Sequence, residues 1–116
     1  MKIALVQMDV VHGQPVENKK HVIEMLERAL DDNPDVIVLP EMWNTGYALN
    51  ELDGLADKDG LDSQELLSHF AREHAVAIIG GSVAIEQGGK FYNTTYVYNK
   101  SGELINSYSK VHLFGL

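Results

Sequence analysis

The stretch VIVLPE at residues 36–41 joins a run of aliphatic side chains to a proline and a glutamate. A second aliphatic run, IALV at residues 3–6, lies near the start of the chain, and neither run alternates with polar residues. Strands that are buried on both faces of a sheet have this pattern. A helical pattern begins at Pro15 and stops at Asn33-Pro34, between the two runs. The order predicts a βαβ unit whose two strands are parallel.

The rest of the chain predicts one more helix and three more strands. The helix is expected from Asp62 to His74, after a capping signal in residues 62–65. Apolar residues 75–84, broken by a glycine pair, predict the third strand, and alternating residues 91–99 predict the fourth. Residues 103–110 supply the fifth strand, whereas residues 43–60 have the composition of a surface loop or a short helical turn.

The composition limits the class of protein. The 116 residues are 45% hydrophobic and 22% charged, as in soluble globular proteins, and they suit one domain. Seventeen acidic against nine basic residues give a net charge of −8, which repels nucleic-acid phosphates and anionic lipid. We therefore expect no nucleic-acid partner and no membrane partner. The N-terminal apolar run at residues 3–6 is too short for a signal peptide or a membrane span, so we expect a cytoplasmic location. The chain has no cysteine, so these residues contain no disulfide, no thiolate metal site and no thiol nucleophile.

Two charged residues lie at the carboxyl ends of predicted strands. Glu41 comes after Pro40 at the carboxyl end of the second strand, where open α/β sheets place ligand-binding groups. Lys110 ends the fifth strand. Either residue alone is more often a solvated surface charge, but the two meet in one cleft if both strands end on the same side of the sheet. A carboxylate base beside a fixed ammonium group suits acyl transfer.

Other side chains have weaker claims to a functional role. Trp43 and Tyr47 are candidates for lining a substrate pocket beside the carboxylate, although an aromatic residue after a strand more often belongs to the core or to a lid. We interpret Asn93 and Thr94 as structural residues and His112, in an apolar segment, as a packed histidine. The remaining histidines lack the spacing of a metal site, so we expect no metal.

Four blocks of the sequence together resemble the nitrilase (carbon-nitrogen hydrolase) superfamily. They are VLPEMW at residues 38–43, TGY at 45–47, YNT at 92–94 and YSKVHLF at 108–114. The form PEMWNTGY is most similar to the ω-amidase-like branch, which hydrolyses small amides of 2-oxo dicarboxylic acids. The resemblance implies an α/β fold, namely a portion of an αββα sandwich with a mixed sheet and helices on one face.

The resemblance also implies a mechanism. Family members use a Glu base, a Lys, a second Glu and a Cys nucleophile, which assigns the base to Glu41 and stabilisation of the oxyanion to Lys110. In family members the Cys and the second Glu lie beyond the block at 108–114, and this chain has no Cys. We therefore expect residues 1–116 to be the N-terminal portion of a carbon-nitrogen hydrolase domain that is inactive alone. The resemblance further implies a small amide substrate, no cofactor and a homo-oligomer.

Two alternatives stay open. A non-catalytic α/β binding or scaffold module would keep the sheet without the nucleophile, and the reading frame beyond Leu116 would distinguish it from the enzyme. An N-carbamoyl hydrolase of the same superfamily would differ only in its substrate. Assays on ω-amides and on N-carbamoyl compounds would decide between these two activities.

Overall fold

The computed structural model describes residues 1–48 and 50–111. This part of the chain contains seven strands and two α-helices. In chain order they are β1 (Ile3–Leu5), α1 (Pro15–Ala29), β2 (Val36–Val38), β3 (Asp57–Lys58), α2 (Leu61–His74), β4 (Ala77–Ile79), β5 (Val83–Gln87), β6 (Lys90–Tyr98) and β7 (Leu104–Val111). A short 3-10 turn at Leu30–Asp32 follows α1 directly.

All seven strands belong to one mixed sheet. Their order is β1-β2-β4-β6-β5-β3, and β7 also pairs with β6. β1, β2 and β4 are parallel, which confirms the parallel βαβ unit predicted from the two aliphatic runs. β6 is antiparallel to β4, β5 and β7. β2 and β7 therefore run in the same direction, and their carboxyl ends lie at the same end of the sheet.

The expected third strand is in fact two strands, β4 and β5, along one edge of β6. Ile79 of β4 pairs with Val97, whereas Val83 of β5 pairs with Thr94. The chain advances four residues from 79 to 83, whereas its partner β6 advances only three, from 97 to 94. The glycine pair at 80–81 therefore lies in a bulge-like break. The position of the break agrees with the sequence, but the two halves have different outer neighbours, because β4 joins β2 and β5 joins β3.

Both helices pack on the same face of the sheet, as expected. The core on this face includes Val22 and Leu26 of α1, Leu67 and Phe70 of α2, and Ile37 and Ile78 of the strands. Full burial of one such side chain contributes about 1.5–3 kcal/mol relative to leaving it exposed. Neither helix in the described part of the chain is long and apolar enough to span a membrane.

The start of α2 differs from the sequence expectation. The capping signal expected at residues 62–65 is wrong, because the carboxylate of Asp57 accepts hydrogen bonds from the N–H groups of Asp62 (3.2 Å) and Ser63 (2.7 Å). Asp57 belongs to β3, a two-residue strand inside the segment expected to be loop. Gly60 precedes the helix with φ +66°, and a Cβ at this position would overlap the hydroxyl of Tyr96.

The opposite face of the parallel strands is apolar and is not covered by the described residues. On this face Ile3 is 55% exposed, Leu5 72% and Ile79 40%. Val36 and Val38 of β2, which pair with Ile3 and Leu5, are partly exposed. We call these five residues the open face. Because side chains alternate along a strand, the same strands bury one face and expose the other. The expectation that the two aliphatic runs are buried on both faces is therefore wrong for the described residues.

Candidate active site

Glu41 lies in a turn that is tied to the break between β4 and β5. The N–H of Ser82 donates to the Pro40 carbonyl at 3.2 Å, and the N–H of Trp43 donates to the Ser82 carbonyl at 3.1 Å. The Ser82 hydroxyl accepts a hydrogen bond from the N–H of Met42 at 2.8 Å. The backbone on both sides of Glu41 is therefore held by Ser82, a single residue in the break between β4 and β5.

The turn approaches the strand break too closely for a side chain at Gly81. A Cβ at this position would overlap the carbonyl oxygen of Pro40 and would lie 2.6 Å from that of Leu39. Met42, directly after the candidate base, has φ +52°, a region that costs a non-glycine residue about 1–3 kcal/mol. Full burial of the Met42 side chain and the hydrogen bond from the Met42 N–H to the Ser82 hydroxyl offset this strain.

Two buried asparagines extend the support of the turn. Asn44 exchanges two hydrogen bonds of 2.9 Å with the backbone of Ala84 in β5. Asn18 of α1 exchanges two bonds of 2.7 Å with the backbone of Val11 and donates to the Asn44 carbonyl at 2.9 Å. The turn is thus fixed to β5 on one side and to α1 on the other.

One cavity of about 320 Å³ contains both charged candidates. Its lining consists of Leu39, Glu41, Gly81, Ser82, Asn93, Thr95, Tyr108 and Lys110. Glu41 comes from the turn after β2 and Lys110 from the end of β7, and these strands run in the same direction. In the described part of the chain, neither residue takes part in an ion pair of 4.0 Å or less. The two charges therefore share the cavity without neutralising each other directly.

Asn93 connects the two sides of this cavity. Its Nδ2 donates to Oε1 of Glu41 at 3.0 Å, and the strand register places it opposite Lys110. The residue is 6% exposed, and its Oδ1 has no hydrogen-bond partner among the described residues. Asn93, interpreted from the sequence as a structural residue, thus has the side chain of the candidate base as its hydrogen-bond partner. In the sequence, strand alternation in the YNT block shows which face of β6 carries Asn93, but it does not reveal that Asn93 pairs with Lys110 of β7.

The two aromatic candidates occupy different places. Trp43 is 2% exposed, packs in the core and donates from Nε1 to the Gly80 carbonyl at 3.0 Å, so it does not line the cavity as the sequence suggested. The left-handed backbone at Met42 redirects the chain before this residue. Tyr47 lies beside Glu41. Partial burial, followed by the charge of the Glu41 carboxylate and a hydrogen bond to it, raises the pKa of Tyr47.

Among the described residues, the remaining sequence candidates add no ligand site. His112, interpreted as a packed histidine, lies outside the described residues. Within residues 1–48 and 50–111, no group of three His, Asp or Glu side chains is arranged to hold a metal ion. Thr94 faces away from the cavity, and its hydroxyl shares a 2.8 Å hydrogen bond with that of Ser109 on β7.

Comparison with known proteins shows which protein family the chain belongs to. Residues 2–115 match the profile of the family described as carbon-nitrogen hydrolase, and the chain belongs to this family. Within it, the chain is 44% identical to 2-oxoglutaramate amidase of Bacillus subtilis (strain 168), over 98% of this chain and 44% of the relative's length. It is 33% identical to Omega-amidase NIT2-B of Xenopus laevis, over 99% of this chain and 41% of that protein. These relatives confirm the ω-amidase-like resemblance.

A solved structure agrees with the fold. The crystal structure of Nit3 from Saccharomyces cerevisiae, described as a member of branch 10 of the nitrilase superfamily, superposes with a TM-score of 0.85 at 28% identity. The match covers 98% of this chain and 45% of Nit3. The chain therefore spans less than half the length of the relatives that it matches, and it has the nitrilase-type fold over that span.

Proposed function

We propose that this chain is the N-terminal portion of an amidase that hydrolyses a small ω-amide of a 2-oxo dicarboxylic acid and releases ammonia. The observation that carries the proposal is the single cavity lined by both Glu41, in the turn after β2, and Lys110, in β7, a strand that runs in the same direction as β2. The 44% identity to a 2-oxoglutaramate amidase supports the substrate class. Residues outside this sequence supply the Cys nucleophile and the second Glu, and the reaction needs no cofactor.

Glu41 acts as the general base. Its carboxylate takes the proton of the cysteine thiol, and the thiolate attacks the amide carbon to form a tetrahedral intermediate. The carbon–nitrogen bond then breaks, ammonia leaves with the transferred proton, and a thioester remains. Glu41 next takes a proton from water, the hydroxide attacks the thioester, and the acid is released as the thiol is restored. The sum is amide plus water giving carboxylic acid plus ammonia.

Lys110 supplies the positive charge that these reaction steps require. The carbonyl oxygen becomes negative in both tetrahedral intermediates, and a fixed donor at that position contributes about 3 kcal/mol to stabilising the transition state. A lysine locked in an ion pair with Glu41 would serve this purpose poorly. The absence of such a pair between these two described residues supports the assignment.

The cavity lies on the side of the sheet from which a nucleophile can arrive. Asn93 and Thr95 share one face of β6 with Val97, because side chains alternate along the strand. Val97 pairs with Ile79 of the open face. We infer that the cysteine-bearing segment packs on the open face, completes the sandwich and closes the cavity. The 116 residues alone, which lack cysteine, are expected to release no ammonia from any amide.

The complete gene product tests the proposal through ammonia release from 2-oxoglutaramate. We expect Glu41→Gln and Lys110→Ala each to lower kcat by about a hundredfold or more, because each removes a group that acts in the transition state. Thermal unfolding should change little. Glu73→Gln on α2 and Lys20→Ala on α1 are matched controls, since both side chains are exposed on the helices. Near wild-type turnover in either site variant would contradict the proposal.

The alternatives have distinct outcomes in the same assay. Faster hydrolysis of N-carbamoyl compounds than of ω-amides would replace the substrate class and keep the residue roles. The lack of cysteine favours a binding or scaffold function for the 116 residues taken by themselves. A reading frame that stops at Leu116 would establish that function and overturn the amidase proposal.

A further inference from the structure

Three asparagines in the described part of the chain are buried, and one differs from the others. Asn18 and Asn44 bond backbone groups only, and the oxygen and nitrogen of each side-chain amide have partners. Asn93 bonds the side chain of Glu41, and its Oδ1 has no partner. Buried polar atoms without a hydrogen bond are rare in native proteins and call for an explanation.

The orientation of the Asn93 amide follows from its partner. An ionised carboxylate only accepts hydrogen bonds, so the NH₂ group must face Glu41 and the carbonyl oxygen must point elsewhere. That oxygen needs a donor, and a lysine ammonium carries three donors and no acceptor. Lys110 is the cationic side chain that shares the cavity.

The strand register places Lys110 within reach of the amide. Asn93 and Lys110 are directly opposite on antiparallel β6 and β7, where facing Cβ atoms lie about 4.5–5.5 Å apart. The hydrogen bond between the Thr94 and Ser109 hydroxyls reinforces this register on the other face. A lysine side chain can therefore fold back over the amide without leaving the cavity.

We propose that Asn93 is a positioning residue that holds the Glu41 carboxylate through Nδ2 and the Lys110 ammonium through Oδ1. The amide separates the two charges, so the base stays free to take a proton and the cation stays free to face the substrate oxygen. Its effect on turnover rests on the proposed function, whereas the contact between Oδ1 and Nζ is a matter of geometry alone.

A crystal structure of the complete protein tests the contact directly. We expect Nζ of Lys110 within about 3.2 Å of Oδ1 of Asn93. A direct ion pair between Lys110 and Glu41, or a different donor on Oδ1, would overturn the proposal. This measurement uses the unmodified protein, so it decides the question even if the Asn93 variants fail to fold.

Kinetics of Asn93→Ala and Asn93→Asp test the positioning role. We expect kcat to fall by about a hundredfold in each, because a misplaced base loses its geometry. The acid limb of the kcat/KM profile should shift in Asn93→Ala, because the donor to the proposed base is lost, whereas a purely structural role would leave it in place. It should move further in Asn93→Asp, which adds a second carboxylate. The charged and titratable groups around Glu41 in the described residues are Lys110, Tyr108 and Tyr47.

Thr94→Val is the matched control, because Thr94 is equally buried on the same strand but faces away from the cavity and bonds Ser109. This variant should lower the melting temperature and leave the acid limb in place. An unmoved limb in both Asn93 variants, or the same shift in Thr94→Val, would show that Asn93 has only a structural role. An active Glu41→Gln enzyme would overturn the proposed function instead, so the two failures are distinguishable.

Discussion

The placement of Glu41 depends on one residue that lacks a side chain. Gly81 lets the carbonyls of Leu39 and Pro40 lie against the strand break, and Ser82 then bonds both sides of the turn. Met42 accepts a left-handed backbone as part of the same arrangement. Functional sites often contain strain of this kind, held in place by the surrounding packing.

Gly81→Ala should therefore impair both folding and turnover. We expect a loss of at least about 2 kcal/mol in the free energy of unfolding, because the new Cβ overlaps backbone that cannot move freely. Gly54→Ala is the control, since Gly54 has φ +82° but a Cβ there meets nothing within 4 Å. It should cost only the left-handed strain, about 1–2 kcal/mol, and leave kcat unchanged. If Gly81→Ala and Gly54→Ala had the same effect on stability in chemical denaturation and on turnover, this would argue against the close approach at Gly81.

Tyr98 predicts an alkaline limit to stability. Burial, followed by the neighbouring Tyr96, raises the pKa of Tyr98 to about 12, and its hydroxyl has no partner among the described residues. The folded state therefore holds this proton more tightly than the unfolded state. The resulting stability is complete below pH 10, the ordinary value, and is lost as the pH rises towards 12.

Tyr98→Phe should remove this dependence. We expect the variant to be about 1 kcal/mol more stable at neutral pH, since a buried hydroxyl without a partner is deleted. Its stability should also fall less between pH 10 and 12 than that of the unmodified protein. Urea titrations at several pH values would measure both effects. A parallel pH dependence in the two proteins would mean that other groups set the alkaline limit.

Among the secondary-structure elements, β6 organises the site. It pairs with β4, β5 and β7, so it joins the parallel strands that position Glu41 to the strand that carries Lys110. A two-residue turn, Gly88-Gly89, connects β5 to β6 with φ values of +60° and +80°. Both central residues of a type I′ turn have positive φ, and this turn suits the twist of a hairpin.

Gly88→Asn should stabilise this hairpin. Asparagine tolerates the left-handed region and restricts the unfolded chain, so we expect a gain of about 0.4–1 kcal/mol in the free energy of unfolding. Gly60→Asn provides the contrast, because Gly60 has a similar φ of +66° but its Cβ would meet the Tyr96 hydroxyl. That variant should be strongly destabilised in thermal melts. A loss of stability in Gly88→Asn would contradict the type I′ assignment.

For the molecule as a whole, the open face determines how we expect the 116-residue chain to behave in solution. A sheet that exposes Ile3, Leu5 and Ile79 together presents a patch that soluble monomers usually cover. We expect the 116-residue chain, expressed alone, to bind a hydrophobic dye and to self-associate in light scattering. The complete protein should do neither at this face. A cooperative, dye-negative monomer of 116 residues would favour the independent module over the amidase.

Sequence patterns predicted the parts of this molecule that depend on local periodicity. The aliphatic runs at residues 3–6 and 36–39 identified two parallel strands, although one face of each is exposed in the described part of the chain, and helical spacing identified α1. Glu41 and Lys110 became candidates because they lie at or just after the ends of strands, and strand ends are visible in a sequence. The resemblance supplied the chemistry that the strand ends alone did not specify.

The features that sequence patterns missed depend on contacts between distant segments. Asn93 has a partner 52 residues away, and its register with β7 is set by pairing rather than by its neighbours in the chain. Trp43 was misplaced because one left-handed residue, Met42, turns the chain before it. The cap of α2 comes from Asp57 in β3, outside the helical pattern. Each case requires three-dimensional proximity that no periodicity encodes.

The central place of β6 has a consequence for how the protein folds. β5, β6 and β7 form a meander of neighbouring strands, so the Asn93–Lys110 pairing closes a short loop and costs little chain entropy. The turn at Glu41 must close a much longer loop before it reaches Asn93, and such contacts slow folding. We expect the meander to form first and the Glu41 turn to dock late. Molecules with a nearly complete sheet would then still be inactive, so recovery of turnover during refolding should lag behind recovery of strand structure.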